Sequence, residues 1–104
     1  MNTGKKILIE IKNAVALVDS GAEVILFGSR ARGDYNEESD WDVLILTDKN
    51  VESDLKKKII KNILPIELEY LVGISPIVKN KQDWQGMFSI TSFFKEIEKD
   101  GIVL

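Results

Sequence analysis

Cysteine and histidine are both absent from this chain, and proline occurs only twice. No disulfide framework, thiol nucleophile, histidine base, Ser-His-Asp triad or Cys/His zinc site can be assembled from it. Acid–base or metal chemistry would have to run on Asp and Glu, with Arg, Lys, Ser, Thr and Tyr in support. Long hydrophobic runs are missing too, since nothing approaches the ~18–20 apolar residues of a membrane span. The apolar stretch from Ile7 to Ile11 is broken by Glu10 and has no small-residue cleavage site after it, so it does not read as a signal peptide. The expectation is a cytoplasmic protein without membrane attachment. Positive charge is not in excess: 14 basic residues against 17 acidic ones leave a net charge of −3. That balance argues against general adhesion to nucleic acid or anionic lipid and leaves nucleic acid only as an acceptor in a reaction.

What is present fits one domain over residues 1–104. With 44% hydrophobic residues, a chain of this length buries roughly 60–70% of its unfolded surface and holds a core unaided. No repeat or linker divides it. Ile7, Ile11, Ala14, Val15 and Val18 recur at helical spacing and predict a helix from Lys5 to Val18, closed by Ser20-Gly21. Glu23–Phe27 is a short continuous apolar run before Gly28, the pattern of a strand covered on both faces. Trp41–Thr47 predicts a second strand and Asp48-Lys49-Asn50 a turn. From Glu52 to Val72 the pattern is helical, with Leu55, Ile59, Ile60, Ile63, Leu64 and Leu68 expected on the packed side, Lys56, Lys57, Lys58 and Lys61 in water, and a break at Leu64-Pro65. Ile74–Val78 predicts a third strand, at a sheet edge because Pro76 has no N–H to donate. Thr91 caps a last helix, Ser92–Lys99, that Gly101 stops before a docked tail, Ile102 to Leu104. Trp84, Met87, Phe88, Phe93 and Phe94 form the richest aromatic segment, read as core packing with part left for a partner. The order of elements predicts an α/β (α+β) fold, a small mixed β-sheet flanked by helices.

Chemistry concentrates between Gly28 and Asp42. Gly28 and Ser29 follow a buried strand, and a sharp turn there aims the N–H groups of Ser29 and Arg30 at an anion, with the serine hydroxyl beside them. Arg30 and Arg32 lie within four residues of the turn, and their guanidinium groups supply charge to a phosphate cradle whose backbone donors give geometry. Asp40 and Asp42 are two apart at the start of a strand, so both carboxylates share one face while Trp41 and Val43 take the other. Like charges about 6–7 Å apart repel and call for a cation. Hard oxygen ligands beside a phosphate cradle suit magnesium, with manganese as its substitute.

Gly28-Ser29, the Arg30-Ala31-Arg32-Gly33 that follows, and Ser39-Asp40-Trp41-Asp42 before an apolar strand resemble the signature of the DNA polymerase beta-like nucleotidyltransferase superfamily, and the domain size resembles its minimal nucleotidyltransferases. The resemblance implies that Gly28 and Ser29 hold the terminal phosphates of a nucleoside triphosphate and that Asp40 and Asp42 ligate magnesium. It further implies in-line attack of an acceptor hydroxyl, on protein, RNA or a small molecule, at the α-phosphorus, with pyrophosphate leaving. Minimal nucleotidyltransferases also pair, antitoxin-like, with small helical proteins, which implies such a partner here. One departure stands out. Active members of the superfamily carry a third carboxylate on a later strand, whereas Gly73 to Val78 contains no acid and Ser75 is expected near its place. Glu67 and Glu69 are the candidate replacements. Three outcomes stay open: a glutamate supplies the base, the metal alone activates the hydroxyl, or the protein binds nucleotide without efficient transfer.

Overall fold

In the computed structural model, which describes residues 2–104, four strands form one mixed sheet in the order β3-β2-β1-β4. Helix α1 (Thr3–Val18) begins where the Asn2 side chain accepts the Lys5 N–H. It buries Ile7, Ile11, Ala14 and Val15, the stripe predicted from spacing. Strand β1 (Glu23–Phe27) pairs antiparallel with β2 (Trp41–Thr47), and β2 pairs in parallel with β3 (Ile74–Asn80). Helix α3 (Ser53–Tyr70) makes the long connection that a parallel pair requires. Between β1 and β2 lies a four-residue helix, α2 (Ser29–Arg32).

Helices cover both faces of the sheet, which is why β1 and β2 read as unbroken apolar runs. On one face α1 and α3 pack against Val24, Leu26, Val43, Ile45, Ile74 and Val78. On the other, Ile25, Leu44 and Leu46 meet Trp84 of α4 (Lys81–Gln85) and Ile97 of α5 (Ser92–Asp100), with Phe27, Ile77, Phe88, Phe93 and Phe94 filling in. Trp84 is 1% exposed and makes edge contacts with Phe93, so the aromatic segment is core. Met87 alone of that group faces outward, at 66% exposure. Among the described residues no helix is long and apolar enough to cross a membrane.

Four expectations are corrected. Helix α3 runs unbroken through Pro65. Both Pro65 and Lys61, whose carbonyl loses its partner, are exposed, so water takes the place of the missing bond. The packed stripe of α3 is narrower than expected: Ile59, Ile63 and Ile66 are buried, whereas Ile60, Leu64 and Leu68 are 54%, 49% and 67% exposed. Strand β3 continues past Val78 to Asn80, whose side chain then caps α4 by accepting the Gln82 and Asp83 N–H groups. The C-terminal tail is itself a strand, β4 (Ile102–Val103), hydrogen-bonded in antiparallel register to β1 and placed at the sheet edge. Pro76 lies on the other edge strand, where it interrupts no interior ladder.

Candidate active site

The second core ends before the sheet does. Along β2 the side chains at positions 42, 44 and 46 share one face; Leu44 and Leu46 belong to the aromatic core, and Asp42 takes the next place outward. In register across the sheet, Asp42 lies between Phe27 of β1 and Ser75 of β3. A carboxylate there is bordered by an aromatic ring on one strand and a hydroxyl on the other. Asp40 stands just ahead of β2, and its Oδ2 accepts the Ser75 hydroxyl at 3.3 Å.

Two glycines let the backbone close around these acids. Gly28 has φ +73° and ψ −158°, a conformation open to glycine alone, and a Cβ there would lie 2.4 Å from Asp42 Oδ2. At Gly73 a Cβ would lie 2.4 Å from Asp40 Oδ1. The carbonyl of Gly28 accepts the N–H groups of Ala31 and Arg32, closing the turn of α2. Ser29 and Arg30 follow the glycine that approaches the Asp42 carboxylate and precede those bonded amides.

Electrostatics at this end of the sheet disfavours the Asp42 charge. Partial burial is the main cause that pushes the Asp42 carboxyl above its ordinary value, the neighbouring Asp40 charge adds to it, and Arg32 opposes both. Burial and a like charge together mark a site built to receive positive charge. Two carboxylates, a hydroxyl and an adjoining backbone turn are a donor set that fits a hard divalent cation, which takes one or two carboxylates and completes its shell with water and substrate phosphate oxygens.

The sequence-predicted residues do not all converge. Gly28 and Asp42 come together, with Ser29 next in the chain, and the charge of Asp40 is felt at Asp42. Arg32 reaches the acids with its charge while its guanidinium pairs with Asp34 at 3.3 Å and Glu96 at 3.2 Å. Arg30 is engaged elsewhere: its guanidinium lies 4.4 Å from the ring centres of both Tyr35 and Trp41, and its Nε and Nη2 donate to the Ser39 carbonyl. It clamps the loop that delivers Asp40. The aromatic neighbours Tyr35 and Trp41, both inside the motif, were the signal for that role. The expectation that Glu67 or Glu69 supplies a third carboxylate is not met. Glu67 accepts the Ile74 N–H and so tethers the start of β3, Glu69 is exposed on α3, and among the described residues no three acids gather into a metal-sized group. Ser75 occupies the register position facing Asp42.

Comparison with known proteins bears on the family and the fold. The family model described as nucleotidyltransferase domain matches residues 8–103. Two Methanocaldococcus jannaschii proteins, each named "putative protein adenylyltransferase", are similar in sequence. One is 42% identical over 99 residues, spanning 93% of this chain and 94% of its own; the other is 38% identical over 84 residues, spanning 79% and 76%. A Sulfolobus solfataricus crystal structure titled as a putative nucleotidyltransferase superposes with a TM-score of 0.53 at 23% identity, covering 95% of this chain and 82% of that one. That last likeness is one of fold.

Proposed function

The chain belongs to the nucleotidyltransferase domain family, and from that premise we propose that it is a magnesium-dependent adenylyltransferase, moving AMP from ATP to a hydroxyl on a protein acceptor. The observation that carries the reading is the contact between the Gly28 turn and Asp42: a glycine turn and two neighbouring acids share one end of the sheet. The names of the two archaeal relatives support adenosine as the base and protein as the acceptor.

In this reading Gly28 and Ser29 hold the terminal phosphates through backbone N–H groups and the serine hydroxyl. Asp40 and Asp42 hold magnesium, or manganese in its place, which when bound supplies charge stabilisation to the attacking and departing oxygens. Arg32 sits close enough to Asp42 for its charge to be felt there, and its exposed ion pairs are weak enough to exchange for a phosphate oxygen. Arg30 holds the loop. The acceptor hydroxyl attacks the α-phosphorus in line, pyrophosphate leaves, and the proton passes to the nearest acid or to water.

A second reading is favoured by Ser75 standing where a third carboxylate is expected: a nucleotide-binding, antitoxin-like module for a small helical partner, with little or no catalysis. Labelled ATP with magnesium and host cell extract separates the two. The first reading expects labelled protein, released pyrophosphate, and a loss of more than about 100-fold in Asp40→Asn. Equal behaviour of wild type and Asp40→Asn, with no transfer from any nucleotide, overturns it; retained micromolar binding of a non-hydrolysable triphosphate then supports the second.

A further inference from the structure

We propose that Ser75 is itself a nucleotidylation site, whose hydroxyl takes the nucleoside monophosphate of the bound triphosphate when no external acceptor is present. The inference rests on the adenylyltransferase reading above and goes beyond it by naming an acceptor within the chain. Three observations carry it. Ser75 is the direct cross-strand neighbour of Asp42 in the β2–β3 ladder, so its side chain emerges on the same face about one strand spacing away, near 4.8 Å. Its Oγ donates to Asp40 Oδ2 at 3.3 Å in an exposed position, which holds the hydroxyl beside the acid pair. The Gly28 turn closes on Asp42 from the opposite side, so a triphosphate seated there has its reacting phosphorus between the turn and β3.

Several other hydroxyls are committed elsewhere. Thr47 donates to Asp19 at the far end of β2, Ser89 and Thr91 donate to the carbonyls of Gly86 and Phe88, and Tyr70 donates to Glu10 on the α1 side of the sheet. Ser75 is thus the hydroxyl paired with one of the two site acids. The step balances without a further reagent. A bond forms between Ser75 Oγ and the α-phosphorus while the bond from that phosphorus to the bridging oxygen breaks, and pyrophosphate departs. The hydroxyl proton passes to solvent, to which Ser75 Oγ is open. The product is a phosphodiester on β3 that places a nucleotide across the site, so the modified molecule no longer admits a second triphosphate.

The test uses the full chain, ATP and magnesium, in parallel samples with and without cell extract. Intact mass and peptide mapping read the modification, and calorimetry with a non-hydrolysable triphosphate reads the site. The expected result is one added AMP group per chain, mapped to Ser75 in the extract-free sample, lost in Ser75→Ala and retained in Ser75→Thr, which keeps a hydroxyl. Triphosphate binding is expected to fall in proportion to the modified fraction. Label on another residue, or equal labelling of Ser75→Ala, overturns the proposal. Labelled extract proteins with an unmodified enzyme overturn it while leaving the adenylyltransferase reading standing, and no label in either sample overturns both. Should Ser75→Ala fail to fold, the wild-type peptide map decides.

Discussion

Acids stand at both ends of strand β2, Asp42 on the strand itself and Asp19 at the close of α1, and the two ends treat them in opposite ways. Beyond Thr47, Asp19 is fully engaged: its carboxylate accepts the hydroxyl of buried Thr47 and the Gly21 N–H, and Lys49 and Lys81 stand nearby. The Thr47 hydrogen bond is the largest cause holding Asp19 below the ordinary carboxylate value, against the opposing effect of burial. Lys81 also bonds the Gly21 carbonyl at 2.9 Å, and Asn80 bonds the Lys49 carbonyl at 3.0 Å, so the whole corner is laced together. At the Trp41 end, Asp42 is pushed the other way by burial and by Asp40. One corner uses its acid to hold structure. The other leaves its acids in want of a cation, which is where a fold that is otherwise internally consistent places its chemistry.

Replacing Asp42 sharpens this contrast most. Asp42→Asn is expected to lower transfer by more than about 100-fold and yet to raise the melting temperature, because a disfavoured charge is removed; a fall in melting temperature would break the comparison. The sign in pH follows. Asp42 has a folded-state pKa above 3.8, so its contribution to stability is fully present below that value and is lost as pH rises through the folded value. The stability advantage of Asp42→Asn should therefore vanish as pH falls from neutrality to below 3.8.

Gly28→Ala comes next. It should abolish transfer as Asp42→Asn does but move melting in the opposite direction, costing about 1–3 kcal/mol, since the new Cβ meets Asp42 Oδ2 and the backbone conformation is strained. The smallest effect belongs to the engaged corner. Asp19→Asn is expected to cost about 1 kcal/mol in chemical denaturation at neutral pH with transfer unchanged. Here the folded-state pKa lies below 3.8, so the contribution is present above that value and the cost disappears as pH falls through the folded value. Loss of transfer in Asp19→Asn would show that the two ends are coupled.

Much of the molecule was legible in residue order. The bounds of β1 and β2 follow from runs of apolar residues that two covering layers require, and the pairing of Gly28-Ser29 with Asp40 and Asp42 follows from a glycine after a strand and a two-residue period at the start of the next. Less legible was α3. Its proline lies on the solvent side, and periodicity alone does not separate a buried Ile59–Ile63–Ile66 stripe from an adjacent exposed Ile60–Leu64–Leu68 stripe at the same spacing. Helix α4 is five residues long and lacks a periodic signal, though Asn80 followed by polar residues is a capping pattern. Strand β4 has two residues and exists through its bonds to β1.

Local chemistry along the chain dictated the strands, the sharp turn at Gly28 and the repelling acid pair, because each depends on residue types only a few positions apart. Folding in three dimensions dictated the rest: that Arg30 stacks between Tyr35 and Trp41, that the charge of Arg32 is felt at Asp42, that Glu67 is spent on the Ile74 N–H, and that Ser75 faces the two aspartates. Those placements depend on which strand lies beside β2 and in what register. Burial of apolar side chains across the whole sheet sets that register, and no single segment encodes it.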